Sequence, residues 1–268
     1  MGVSSLYEQF CTNEPAGVNL KVDLDEMPSL QSASPVLTTS GPWNLYTEDG
    51  RWIISINGPP GTGLLLIAKF DTDYHRGEIT FNKNIPRRTP FYPLVYPLDE
   101  LLIINLLSQG LGVELHASAI ALDKQDRGLL FTGMSGAGKS TLTRLWQDRT
   151  DDVTILSDDR VIIRKKADGY WIYGTPWHGD GLGASPKAVP LDRIFILNQA
   201  LDNKLSPLGP LEMITKLFVR SFPTYWNADG MAFTLKFLEE LSHSVQCYEF
   251  SFLPDQSAID YILRELKY

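Results

Sequence analysis

The stretch Gly-Met-Ser-Gly-Ala-Gly-Lys-Ser-Thr at 133–141 constrains this chain more than any other. It fits the phosphate-loop pattern in full, and its flanks agree: an apolar, strand-like run at 129–131 precedes it and a helix-forming run at 140–147 follows. Gly133, Gly136 and Gly138 let the backbone turn and approach closely. Successive N–H groups, through Ser135, Ala137 and on to Thr141, would then point at phosphate oxygens, with the helix dipole adding to the pull. Lys139 is expected to neutralise the β and γ phosphates, and Ser140 to offer its hydroxyl to Mg2+, so ATP and Mg2+ are the expected cofactors. An ordinary glycine-rich turn would have to meet the glycines, Lys139, Ser140 and both flanks by accident.

A second signal follows at Ile155-Leu156-Ser157-Asp158-Asp159-Arg160, where two carboxylates end an apolar strand expected at 153–156, 19 residues beyond Lys139 (158 minus 139). In a parallel-type sheet the carboxyl ends of neighbouring strands share one edge, which would bring both acids beside the loop. Adjacent strand residues face opposite ways, which suits two jobs, one at the metal and one at an acceptor hydroxyl. An Asp-Asp pair at a strand end also suits a turn or a helix cap. His116 lies on the expected strand 115–122; a lone histidine on an apolar strand is by default a satisfied core residue, and a chemical role needs support from elsewhere in the sequence.

Up to about residue 110 the chain reads as mostly β. Strands are expected at 18–22, 43–46, 52–56, 63–70 and 78–81, with Asp49-Gly50 closing a hairpin, and a helix at 98–107. The Ser-, Thr- and Pro-rich stretches 32–41 and 85–97 read as surface connections. Beyond 110 short apolar runs alternate with helical ones: strands at 128–131, 161–164, 170–173, 194–197 and 245–250, helices at 211–221, 232–242 and 257–266. Two parts are expected, 1–110 and 111–268.

A hydrophobic share of 43% lets such a chain bury a core, and a net charge of -8 without a Lys/Arg-rich run argues against a nucleic-acid partner. No run of 18 apolar residues occurs, and the first residues hold Glu8 and no basic start to a leader, so the expectation is a cytoplasmic protein with no membrane partner. Cys11 and Cys247 lack metal-ligand spacing and are expected as free thiols.

The series of a strand bearing His116, a short hairpin into Gly133 to Ser140, and then Ser157-Asp158-Asp159-Arg160-Val161 resembles the catalytic core of bacterial HPr kinase/phosphorylase. More loosely, the loop is similar to that of phosphoenolpyruvate carboxykinase. The resemblance implies an α/β (α+β) fold: a P-loop catalytic domain with a mixed sheet, preceded by a smaller β-rich region. It implies His116 and Asp158 as an acid/base pair, Asp159 beside the metal, and Lys139 and Ser140 on ATP·Mg2+. The chain departs from the family at Ala117, where a glycine follows the histidine there, and in its first 110 residues. In place of the family's downstream signatures stands Tyr173-Gly-Thr-Pro-Trp-His178-Gly-Asp180-Gly-Leu-Gly183, as in HPr-kinase-like proteins of unassigned substrate.

That segment suits an acceptor site, with Asp180 as a further metal carboxylate and His178 near phosphate, or else a hairpin loop with Trp177 packed for stability. Arg220 either reaches the γ-phosphate or serves as a solvated or capping residue. The leading expectation is a kinase moving the γ-phosphoryl of ATP to a hydroxyl of a peptide, protein or small metabolite. A nucleotide-responsive binding or scaffold protein competes, and a carboxykinase-like enzyme is the weaker enzymatic alternative. HPr kinases are hexameric, so the resemblance leaves a homo-oligomer open.

Overall fold

The computed structural model describes residues 5–14, 17–86, 92–149, 152–177, 179 and 183–266. The chain is mixed α/β and divides into two compact units, Met1–Gln109 with Thr224–Ala228, and Gly110–Pro223 with Asp229–Tyr268.

After a short helix α1 (Ser5–Glu8), the first unit builds a six-stranded sheet in the order β1-β6-β5-β4-β3-β2. Its strands are β1 (Asn19–Asp25), β2 (Ser34–Thr38), β3 (Trp43–Glu48), β4 (Arg51–Asn57), β5 (Leu64–Phe70) and β6 (Arg76–Asn82), with β1 and β6 parallel and the other pairings antiparallel. Asp49 and Gly50 both take positive φ, 49° and 75°, the backbone twist that joins β3 to β4 without splaying them. Helix α2 (Leu98–Leu107) matches its expected bounds, and its Asn105 accepts a hydrogen bond from Trp226 of the returning segment at 3.2 Å. One expectation fails here. The stretch 32–41 is not wholly connection, because β2 forms within it; as an edge strand it leaves one side unpaired, so Pro35 sacrifices no central ladder bond. The expected connection 85–97 lies partly outside the described residues; where described it holds neither helix nor strand.

The second unit contains β7 (Val113–Leu122), β8 (Arg127–Thr132), α3 (Lys139–Arg149), β9 (Val153–Ser157), β10 (Arg160–Lys166) and β11 (Gly169–Tyr173). There follow β12 (Ala188–Gln199), β13 (Lys204–Pro207), α4 (Pro210–Phe218), α5 (Ala228–Ser244), β14 (Gln246–Phe252) and α6 (Ser257–Leu266). The sheet runs β11-β10-β7-β8-β12-β14-β13, with β9 also on β7, and a β11–β12 pairing closes the circuit. It is mixed: β12 is parallel to β8 and β14, whereas β7 is antiparallel to β8, β9 and β10.

Both faces of this sheet are covered, so its strands read as continuous apolar runs. On β8, Leu130 packs with Met213, Leu217 and Leu238 of α4 and α5, while Leu129 and Phe131 pack with Leu142 and Trp146 of α3 and Ile259 of α6. β12 splits in the same way, Ile194 and Ile196 to one side, Phe195 and Leu197 to the other. Full burial of such side chains stabilises by roughly 1.5 to 3 kcal/mol each. The helix expected at 211–221 stops at Phe218, because the next residues turn to pair with β7: Leu115 bridges Ser221, and Phe222 N–H donates to Glu114 O at 3.2 Å. Among the described residues no helix is long and apolar enough to cross a membrane.

Candidate functional site

Because β8 and β9 both run antiparallel to β7, they run alike and end at the sheet edge where β7 begins. β12, parallel to β8, brings its last residue, Gln199, to the same edge. His116, near the start of β7, lies opposite Arg160 in register, and its neighbour Ala117 lies opposite Thr132, the last residue of β8. The topology thus gathers at one edge what the sequence holds more than 80 positions apart (199 minus 116).

The chain leaves β8 through the glycine loop and enters α3 at Lys139. Gly136 and Gly138 have φ of 79° and 99°, and a Cβ on Gly138 would stand 2.7 Å from the Phe252 ring. Gly133 passes so close that a Cβ there would meet Ala137 at 2.8 Å and the Leu197 carbonyl at 3.0 Å. Ala137 N–H donates to Met134 O at 3.0 Å, and Gln199 Nε2 donates to Gly136 O at 3.1 Å, pinning the loop to the end of β12. The first N–H groups of α3 have no partner within the helix. Lys139 is only 9% exposed, and its Nζ reaches Gly133 O at 3.4 Å; it lies inward against the loop rather than standing in solvent.

A cleft of 350 Å3 opens here. From the loop and helix it is lined by Ser135, Gly136, Gly138, Lys139, Ser140 and Thr141; His116, Asp158 and Asp159 face them, with Gly179 and Gln199 at the margin. Of the loop residues expected at such a site, Gly133 and Ala137 do not line the cleft but shape the turn behind it. Asp180 and His178 lie outside the described residues. A larger cleft of 550 Å3, lined by residues such as Arg51, Lys69 and Arg76, belongs to the first unit and holds none of these groups in its lining.

The aspartates are not on a strand. β9 ends at Ser157 and β10 starts at Arg160, so Asp158 and Asp159 form the connection between them. Ser157 shapes it: its hydroxyl donates to Trp177 O at 2.8 Å and accepts N–H bonds from Asp159 and Arg160 at 3.3 and 3.2 Å. Asp158 is 3% exposed, and its Oδ1 accepts the Gly179 N–H at 2.9 Å. Asp159 has different partners. Its Oδ1 lies 3.5 Å from His116 Nδ1 and its Oδ2 lies 3.4 Å from Arg160 Nε. The carboxylate that reaches the imidazole is therefore Asp159, not the Asp158 of the expected pair. Arg160 is itself fixed by Glu114, fully buried, at 3.2 Å and lies over the Phe222 ring at 4.3 Å.

Burial, the Lys139 charge, and to a lesser degree Arg160 and Arg220 hold the His116 pKa below its ordinary value, with Asp159 opposing. Its resting form near neutral pH is the uncharged ring, able to take a proton. Burial likewise lowers the Lys139 pKa, Arg220 adding to the effect and Asp159 opposing it.

The Ser140 hydroxyl and the two carboxylates that face the cleft give oxygen donors, a set suited to a hard cation such as Mg2+ that keeps water and phosphate oxygens in its shell. Among the described residues no group of three His, Cys, Asp or Glu side chains could hold a metal by itself. Gly179 falls in the segment expected as an acceptor site, whereas Gln199 and the Glu114–Arg160 pair were not legible as site residues. Gln199 carries no motif, and its position follows only from β12 lying alongside β8. No protein-family model matches this sequence, and no curated protein matches it.

Proposed function

We propose that this chain is an HPr-kinase-like phosphotransferase that moves the γ-phosphoryl group of ATP to the hydroxyl of a peptide, protein or small-molecule acceptor. The observation that supports this best is the single 350 Å3 cleft in which the glycine loop, Lys139 and Ser140 face the His116–Asp159 pair and Asp158. A loop that only turned a strand into a helix would have no need of two carboxylates and an imidazole across from it.

In this reading the loop amides and the N-terminus of α3 bind the phosphates, and Lys139 offsets the charge on the transferring group. Ser140 and Asp158 would hold Mg2+, which supplies charge neutralisation to the same phosphates. The acceptor oxygen forms a bond to the γ-phosphorus as the bond to the ADP oxygen breaks. The hydroxyl proton passes to the His116–Asp159 pair, and ADP leaves. The resemblance gives the base role to Asp158; we assign it to the Asp159 side because the His116 and Asp159 side chains are 39% and 29% exposed, within reach of an acceptor. Asp158 is 3% exposed with one oxygen engaged by Gly179.

Two isosteric substitutions test the assignment. Asp159→Asn should keep ATP·Mg2+ affinity within a few-fold and slow transfer by about a hundredfold or more, the scale of losing a general base. Asp158→Asn should weaken nucleotide binding in Mg2+ far more than in EDTA, because one anionic oxygen ligand is gone. Exchanged phenotypes would return the base role to Asp158. Wild-type transfer rates in both variants would contradict the kinase reading, and tight nucleotide binding with no turnover in the parent protein would favour a binding or scaffold protein.

A further inference from the structure

We propose that the 550 Å3 cleft of the first unit is a binding site for a small molecule that carries two carboxylates. Its lining comes from β1, β4, β5 and β6 and the residues just beyond their ends, and it sets Lys21, Arg51, Lys69 and Arg76 against Asp71 and Glu78. Four cations and two carboxylates leave a surplus of two positive charges, in a chain whose net charge is -8. A concave surface that gathers the minority sign focuses its field on an incoming anion. The site shares no residue with the glycine-loop cleft and stands whether or not that cleft transfers phosphate.

The register explains why these charges meet. Glu78 of β6 lies between Lys21 of β1 and Lys69 of β5. Arg76 stands two residues before Glu78, and Arg51 two residues before Ile53, the partner of Lys69, so both arginines share that face of the sheet. The lysines and Asp71 are already engaged. Lys21 pairs with Asp23 at 2.7 Å, Lys69 pairs with Glu48 at 2.9 Å, and Asp71 accepts the backbone N–H of Arg76 at 3.1 Å. Among the described residues neither arginine side chain has an ion-pair or hydrogen-bond partner. A single solvated arginine would call for no explanation, but these two flank one concavity.

Spacing and walls together select the ligand. β5 separates β4 from β6, so the backbones that carry the two arginines are roughly 10 Å apart, and each guanidinium fork can take one carboxylate of a ligand that spans the cleft. The volume is that of a small-molecule site. The lining includes no helix N-terminus of the kind that binds phosphate, and Asp71 and Glu78 among the cations repel a doubly charged group more than a singly charged one. An acidic peptide fits less well, because β1, the strand at this edge of the sheet, carries Asp23 and Asp25.

The test titrates the full chain by calorimetry, in Mg2+-free buffer of low ionic strength, with succinate, glutarate, adipate, butyrate, orthophosphate and a hexaglutamate peptide. At least one of the dicarboxylates should bind about tenfold or more tightly than butyrate, and added salt should weaken it. Arg51→Gln and Arg76→Gln should each lower that affinity about tenfold, the scale of one charge-assisted pair. Because both side chains are exposed, the two variants should keep the parent melting temperature and ADP affinity. Equal binding of dicarboxylates and butyrate, or parent-like dicarboxylate affinity in both variants, would overturn the proposal. So would orthophosphate or hexaglutamate binding more tightly than every dicarboxylate and weakened by the same two substitutions, since the ligand would then be a phosphate or an acidic peptide.

Discussion

Lys139 illustrates how burial changes the meaning of a substitution. It is 9% exposed and its pKa is lowered by desolvation, so the resting protein carries a cation at some cost. Lys139→Ala should therefore melt no lower than the parent, yet lose nucleotide affinity by about a hundredfold, as removal of a charge aimed at phosphates requires. A drop in melting temperature together with intact ATP binding would make the lysine a structural residue. His116 makes a prediction of opposite kind. Its folded pKa lies below the ordinary 6.5, so on acidification the unfolded chain takes up a proton before the folded one does. The stability at stake is complete above pH 6.5 and is lost as the pH falls from there toward the folded value. With the side chain 39% exposed, solvent mutes the effect. Melting curves from pH 7.5 to 5 should fall less steeply for His116→Asn than for the parent; equal slopes would place the imidazole in free solvent.

At the level of elements, the sequence was legible wherever a period or a turn residue forced the outcome. Helices α2 and α6 coincide with their expected spans, and the Asp49-Gly50 turn closes the hairpin expected of it. What escaped were β2 and β13, short edge strands whose side chains are mostly exposed or half-buried and leave no apolar alternation to read. The aspartates illustrate another limit. Read as strand residues they face opposite ways; in the structure both line the one cleft, from a Ser157-shaped connection whose bonds to Trp177 and the following amides no spacing rule displays. The glycine loop packs tightly on its neighbours, with Gly138 held against Phe252 of β14. Gly138→Ala should destabilise by roughly 1 to 3 kcal/mol, from a left-handed backbone and a crowded Cβ, and lower ATP affinity by displacing the loop. An unchanged melting temperature would show the loop is free to relax.

For the whole molecule, the second unit's layered core explains which thiol can react. Cys247 packs under the sheet with its pKa pushed up to about 12 by burial, whereas Cys11 is exposed. A thiol reagent should modify one cysteine of the native chain quickly and the second only on unfolding; rapid modification of both would place β14 outside the core. The mixed α/β class could be expected from the alternation of apolar runs. The order of the strands could not, because it depends on pairings such as β12 with β8, which join distant segments. Nor did the sequence show that Thr224–Ala228 belongs with the first unit. The cleft exists because β7, β8, β9 and β12 bring His116, the loop, the aspartates and Gln199 to one edge, the edge proposed to transfer phosphate. The most direct measurement is incubation of the protein with γ-labelled ATP, Mg2+ and an extract of its own cells, alongside Lys139→Ala. Label is expected on a hydroxyl-bearing acceptor with the parent protein and none above background with the variant; an extract labelled equally by both would rule out transfer at this edge.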